Sequence, residues 1–174
     1  FGYSVFYKEV FGLVTKVTVF VPQNCPVKLT LVDVYADKSD AYIDLDYHAR
    51  IIRDEYTFVS ESFDTHHVKI KQGQRLNAVY MIGSEAEMRK DKIIDTFRDY
   101  SYCLSELETV RNKWKELLGK IKIKSEDRDL DVLMNGWLAY QTISCRLFTR
   151  SSMYQSGGAY GYRDQLQDTL CVNY

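Results

Sequence analysis

KVTVFVPQNCPVKLTLVDV, residues 16–34, is the stretch from which the fold class can be read. Val17, Val19 and Val21 fall on one side of an extended chain, with Lys16, Thr18 and Phe20 on the other. After a break at Gln23, Asn24, Cys25 and Pro26, the alternation resumes through Val27, Leu29, Leu31 and Asp33. A period of two marks a strand with one face turned to a core. Asp37, Lys38, Ser39 and Asp40 supply the next turn, and further strand-like runs cover residues 42–52, 56–60, 68–70 and 76–82. These runs follow one another too closely for crossover helices, so the pairing is expected to be antiparallel. Residues 1–83 therefore read as antiparallel sheet, part of a β-sandwich.

The period changes after Gly83. Ser84 followed three residues later by Glu87 is a capping-box signature. Leu104, Leu107, Val110, Trp114 and Leu117 then recur at three- and four-residue spacing, with Gly119 as the stop. A second helix is expected after Ser125, with Glu126 and Asp127 near its positive end, running through Leu130, Leu133, Met134, Trp137, Leu138 and Gln141 to about Phe148. Residues 156–161 form a glycine-rich loop, and Arg163 opens another helix. The fold class is α+β.

Composition narrows the function classes. The 174 residues carry 23 Lys and Arg against 24 Asp and Glu, a net charge of -1 that gives no support to polyanion binding. Hydrophobic residues make up 45% and charged residues 27%, enough for a core that buries roughly 70% of the unfolded surface. The apolar runs, such as Val17 to Val21 and Ile51 to Ile52, fall far short of the ~20 residues that span a bilayer. Phe1 at the start leads into strand-like sequence, as expected of a chain cut from a longer protein. Cys25, Cys103, Cys145 and Cys171 are widely spaced with no C-x-x-C, so reduced thiols in a cytoplasmic protein are expected and no metal site is. Tyrosine is the outlier, with 14 residues against 8 Phe and 2 Trp. Its apolar face and polar edge suit sugar binding and the rim of a core equally.

The polar groups a binding pocket needs are concentrated in YQSGGAYGYRDQLQD, residues 154–168. Its glycines allow close approach of a ligand to the main chain. On a helix, Asp164 and Asp168 share one face while Arg163 and Gln167 share the adjoining one. Carboxylates that accept two hydroxyl hydrogens and a guanidinium that donates in a fixed fork could grip vicinal hydroxyls of a pyranose. Spacing alone favours the plainer reading, a solvated helix start with Arg–Asp pairing. His66 and His67, adjacent on a strand, point to opposite faces and make a poor chelate. Trp114 and Trp137 read as core, and the five lysines between Lys113 and Lys124 read as a solvated face.

NGWLAYQTISCRLFTRSSMYQSGGAYGYRDQLQDTL, residues 135–170, resembles the entry to the catalytic barrel of the inverting β-glycoside phosphorylases of glycoside hydrolase family 94, and the domain shared by cyclic β-1,2-glucan synthases. The NxWLxYQ, YQSGGAYG and RDQLQD elements carry the resemblance and reverse the plainer reading of the polar cluster. FGLVTKVTVFVPQNCPVKLTLVDV, residues 11–34, is more loosely similar to the family's N-terminal β-sandwich.

The resemblance implies a sandwich portion over residues 1–83, a helical linker over 84–124 and the first helices of an (α/α)6 barrel over 125–174. It also implies phosphorolysis of a β-linked glucose oligosaccharide, nearest to the β-1,2-linked group, with inorganic phosphate as co-substrate, no cofactor and a homodimeric parent. Arg163 and Asp168 would line the subsite of the sugar that becomes α-glucose 1-phosphate. Asp164 and Gln167 would join or orient them, and Tyr154 and Gln155 would come from the same loop. The family's general acid, an Asp in a GDWNDG-like motif, has no counterpart up to Tyr174, so the chain alone is expected to be inactive. The rival reading is a non-catalytic carbohydrate-binding or dimer-assembly module. A hydrolase would need a base carboxylate that this stretch does not obviously supply.

Overall fold

A computed structural model describes residues 1–52, 58–83, 93–144, 166–167 and 169–170. It divides the chain into two compact units, residues 2–110 and Phe1 with residues 111–174.

The first unit holds the strands β1 (Tyr3–Val10), β2 (Leu13–Phe20), β3 (Lys28–Ala36), β4 (Ala41–Ile52), β5 (Phe58–Ile70) and β6 (Arg75–Ile82). A four-stranded antiparallel sheet has the order β1-β2-β3-β6, and β4 pairs with β5 alone. The alternation read from residues 16–34 locates β2 and β3, but the single core face expected of it is not found: β3 is buried on both faces, and on β2 Thr18 and Phe20 are buried while Val17 and Val19 are half-buried and Val21 is exposed. Val32, Val34 and Ala36 point to one face, where they cluster with Ile43 and Ile70 from the β4-β5 pair. Leu29 and Leu31 point to the other face and are fully buried there.

The hairpin between β1 and β2 turns through Phe11 and Gly12, both at positive φ (51° and 79°). Two positive values are what a tight two-residue turn demands. Gly12 has a second reason to be glycine, since a Cβ there would lie 2.8 Å from Lys38 Cβ.

β5 differs from the sequence reading, which has separate runs at 56–60 and 68–70. Phe58 through Ile70 form one strand, continuous across the polar residues between those runs. Pairing with β4 carries it through, and the ladder absorbs a one-residue mismatch between Leu45 and Tyr47 as a bulge. Cross-strand hydrogen bonding, which hydropathy does not register, overrides the polar interruption.

Helix α1 (Ile93–Arg98) is followed by α2 (Tyr100–Leu118). The Asp99 carboxylate separates and caps them, accepting from the backbone N–H of Ser101 at 2.8 Å and of Tyr102 at 3.4 Å. The buried stripe of α2 is Cys103, Leu107, Val110 and Leu118. Leu104 and Leu117, which the periodicity also assigns to it, are 42% and 37% exposed. The stripe is rotated by about one residue because cysteine, weakly apolar on hydropathy scales, packs as a small hydrophobe. Gly119 ends the helix as expected, and a Cβ there would meet the Lys115 carbonyl oxygen at 2.6 Å. The Ser84 capping box lies outside the described residues.

Burial keeps the Cys103 thiol protonated well beyond its ordinary range, raised to about 11, with the nearby Asp99 charge adding to the effect. Its Sγ–H donates to the Phe97 carbonyl at 3.2 Å. Brief alkylation at about pH 8 should leave Cys103 unmodified in the folded chain and modify it fully in guanidinium, as peptide mapping would show. The sign of the linkage follows from the raised value. The unfolded thiol ionises first, so this contribution to stability is complete below the unfolded value of 9.0 and is lost as pH climbs towards about 11.

In the second unit, helix α3 (Arg128–Val132) begins at Asp127, whose side chain accepts from the N–H groups of Asp129 and Leu130. Ser125 is not the cap. Its hydroxyl instead donates to the Asp127 carbonyl and accepts from the Asp127 N–H, holding the chain just before the cap. A kinked turn, Leu133–Trp137, interrupts the expected single helix before α4 (Leu138–Ile143). Residues 145–148 of the expected helix lie outside the described residues. The kink sits at Asn135 and Gly136, the latter at φ 151°, where a Cβ would lie 3.3 Å from the Phe1 ring. No helix among the described residues is long and apolar enough to cross a membrane.

Candidate functional site

Most of the sequence-derived site falls beyond what the structure describes. Tyr154, Gln155, Arg163, Asp164 and Asp168 lie outside the described residues, as does the glycine-rich loop. Gln167 is described. It is exposed and helical with Leu166, and the half-buried Thr169 and exposed Leu170 are helical as well. The Thr169 hydroxyl donates to the Leu166 carbonyl at 3.2 Å, a contact made within one helical turn. The helix expected after Arg163 therefore exists at these positions.

The segment leading into that loop is better defined. Within NGWLAYQ, residues 135–141, Asn135 uses both ends of its amide: its Oδ1 accepts from the Ile123 N–H at 2.7 Å and its Nδ2 donates to the Ile123 carbonyl at 2.9 Å. One side chain thus replaces a β-ladder partner for the segment entering α3. Asp131 assists by accepting from the Ser125 N–H at 2.8 Å. Sequence reading took this Asn only as part of a motif, because an amide that pairs with backbone twelve residues away leaves no periodic signal.

Asn135→Ala should remove both bonds and lower stability by about 1–3 kcal/mol. Asn135→Asp keeps the acceptor and should fall between the two in thermal melts.

Trp137 follows and lies in an aromatic group. Its ring centroid is 5.9 Å from that of Phe1 and 6.0 Å from that of Tyr140, and Tyr140 stands edge-on to Trp114 at 4.9 Å. Trp137 is 44% exposed, which corrects the reading of it as core, while Trp114 is half-buried. Helical periodicity places an indole on an apolar face but does not say what covers that face. Chemically, the group offers a rigid apolar wall able to accept the C–H face of a sugar ring.

The remaining candidates are plain. His67 pairs with the Asp44 carboxylate directly opposite it on β4, at the surface. The lysines from Lys113 to Lys124 are all exposed. Among the described residues no group of three or more His, Cys, Asp or Glu side chains gathers as a metal site would.

Residues 113–174, which contain the Asn135 clamp, Trp114, Trp137 and Tyr140 of the aromatic group and the polar segment 154–168, match the sequence model of the glycosyl hydrolase 94 superfamily, catalytic domain. This part of the chain is similar to that superfamily's catalytic domain. Similar to the chain are cyclic beta-(1,2)-glucan synthase NdvB of Rhizobium meliloti (strain 1021), 45% identical over 64 residues, and the N,N'-diacetylchitobiose phosphorylases of Vibrio proteolyticus and Vibrio furnissii, each 26% identical over 106 residues. The first match takes in 37% of this chain and 2% of NdvB, and the others 59% of this chain and 13% of each phosphorylase. The chain therefore spans a small part of the length of these relatives. The glycosyl hydrolase 94 match begins at Lys113, inside α2, so the matched segment contains the C-terminal end of that helix, α3, the kink and α4.

Proposed function

We propose that this chain is part of a glycoside phosphorylase acting on a β-linked glucose oligosaccharide, with β-1,2 linkage preferred. The observation that carries the reading is the superfamily match over residues 113–174, because it includes the whole RDQLQD segment. The 45% identity to a cyclic beta-(1,2)-glucan synthase favours the linkage, and the two chitobiose phosphorylases favour phosphorolysis as the reaction.

In this reading a protonated carboxyl gives its proton to the glycosidic oxygen while phosphate attacks the anomeric carbon from the opposite face. Phosphate takes the place of the base-activated water of an inverting hydrolase, so the reaction needs one catalytic carboxyl and yields α-glucose 1-phosphate. That carboxyl comes from outside these residues. Arg163 and Asp168 hold the hydroxyls of the glycosyl unit, Asp164 and Gln167 orient them, and Tyr154 and Gln155 complete the loop. Residues 1–83 form part of a sandwich, 84–124 a linker and 125–174 the first barrel helices, in a homodimeric cytoplasmic parent that uses no cofactor.

Incubating the full-length parent with 1,2-β-gluco-oligosaccharides and phosphate should release glucose 1-phosphate of α configuration, read by NMR. The β anomer, or free glucose without phosphate consumption, would reject the mechanism. The 174-residue chain under the same conditions should show no turnover above blank, because it lacks the proton donor.

A further inference from the structure

The kink between α3 and α4 has a geometry it cannot hold by itself. Gly136 sits at φ 151°, a backbone region that favours glycine, and it contributes no side chain to fix the turn. α4 has six residues, far fewer than the roughly 12–15 an isolated helix needs, so its course depends on what packs against it. On one side of the kink the Asn135 amide is bonded to the Ile123 backbone. On the other lies a ring from the opposite end of the chain.

Phe1 is grouped with residues 111–174 and not with Gly2 and the strands. Its ring rests over the bare Cα of Gly136, where an added Cβ would come 3.3 Å from Phe1 Cε2 and 3.5 Å from Leu118 Cβ. The same ring lies 4.7 Å from that of Tyr140 and 5.9 Å from that of Trp137, centroid to centroid, and Tyr140 in turn meets Trp114 on α2 at 4.9 Å. A chain start without such contacts frays. This one touches the kink, the residue after it and the middle of α4. The missing side chain at position 136 thus has two effects: it permits the turn, and it clears the slot into which the ring fits.

We infer that Phe1 is a positioning residue whose ring locks the kink and fixes the direction in which α4 leaves it. Its effect on the reaction is indirect and passes through α4, which leads in the chain towards residues 154–168. That consequence for catalysis rests on the function proposed above; the lock itself does not. A flat ring between Gly136 and Tyr140 is what the slot takes, so Tyr at position 1 should serve where Ala does not.

The test has two arms. In the 174-residue chain, hydrogen exchange of the α4 amides, read by NMR, should be about tenfold faster in Phe1→Ala, the scale of losing one or two aromatic contacts. Phe1→Tyr should restore wild-type exchange, and Phe6→Ala, which removes an exposed ring from β1, should leave α4 unchanged. Phe1→Leu, which keeps apolar bulk without a flat ring, should be intermediate and stands in if the alanine variant does not fold. In the full-length parent, kcat/KM for phosphorolysis should fall severalfold in Phe1→Ala at a temperature where the variant is folded, and recover in Phe1→Tyr. Unchanged α4 exchange in Phe1→Ala, or equal acceleration by Phe6→Ala, would overturn the lock. Faster exchange with unaltered kcat/KM would overturn the positioning role and leave Phe1 a structural residue. A wild-type parent without phosphorolysis would count against the proposed function, and exchange alone would then decide the lock.

Discussion

Replacing Arg163 or Asp168 by alanine in the full-length parent should lower kcat/KM for phosphorolysis about ten- to a hundredfold or more, with little change in melting temperature. If these groups hold glycosyl hydroxyls, each substitution removes charge-assisted hydrogen bonds worth roughly 1.5–3 kcal/mol, which is the basis of that range. The competing picture has Arg163 and Asp168 pairing with helix neighbours on a wet surface, where such pairs contribute about 0–1 kcal/mol and their loss leaves catalysis intact. Steady-state phosphorolysis with parallel melts separates the two. Near-wild-type kcat/KM in both variants would reject the sugar-binding role, and lost activity with a preserved melt would uphold it. Asp164→Ala and Gln167→Ala should cost less if they orient their neighbours, and a larger loss at Asp164 than at Asp168 would exchange their roles.

The parts of this molecule that sequence reveals are those governed by a period. Alternation in residues 16–34 locates β2, β3 and the side chains that divide between two faces, because a strand has only two sides. The three- and four-residue recurrence locates α2 and its end at Gly119 for a similar reason. Features outside periodic logic were not legible. The Asp99 cap, the Asn135 clamp and the kink at Gly136 each depend on one side chain meeting a particular backbone group or leaving room for a ring. The continuity of β5 depends on its partner strand. For the site, the sequence supplied residue types and a family likeness, and the superfamily match over residues 113–174 supports the likeness. Convergence of Arg163, Asp164, Gln167 and Asp168 is a three-dimensional property, and of these only Gln167 is among the described residues.

Leu31→Ala should be the most damaging single truncation in the sheet. Leu31 lies on β3, between β2 and β6, and is 1% exposed, opposite Thr18 on one side and Val79 on the other. Removing its isobutyl group forfeits transfer free energy and leaves a cavity that a central strand, hydrogen-bonded on both edges, cannot close, for a loss of about 2–5 kcal/mol. Against the 5–15 kcal/mol that holds a typical domain folded, that is a large fraction. With each kcal/mol worth about 4–8 °C in a unit of this size, the melt should fall by roughly 10 °C or more. Leu31→Met, which nearly conserves volume, should lose less than about 1.5 kcal/mol. Phe6→Ala is the internal control: its larger side chain is 62% exposed on the edge strand β1, so it removes more atoms but little buried area. Circular dichroism melts ranking Leu31→Ala far below both others would show that burial on the central strand, and not side-chain size, sets the stability of the sheet. Equal losses for Phe6→Ala and Leu31→Ala would mean that β1 is covered in solution and that its exposed row faces a partner.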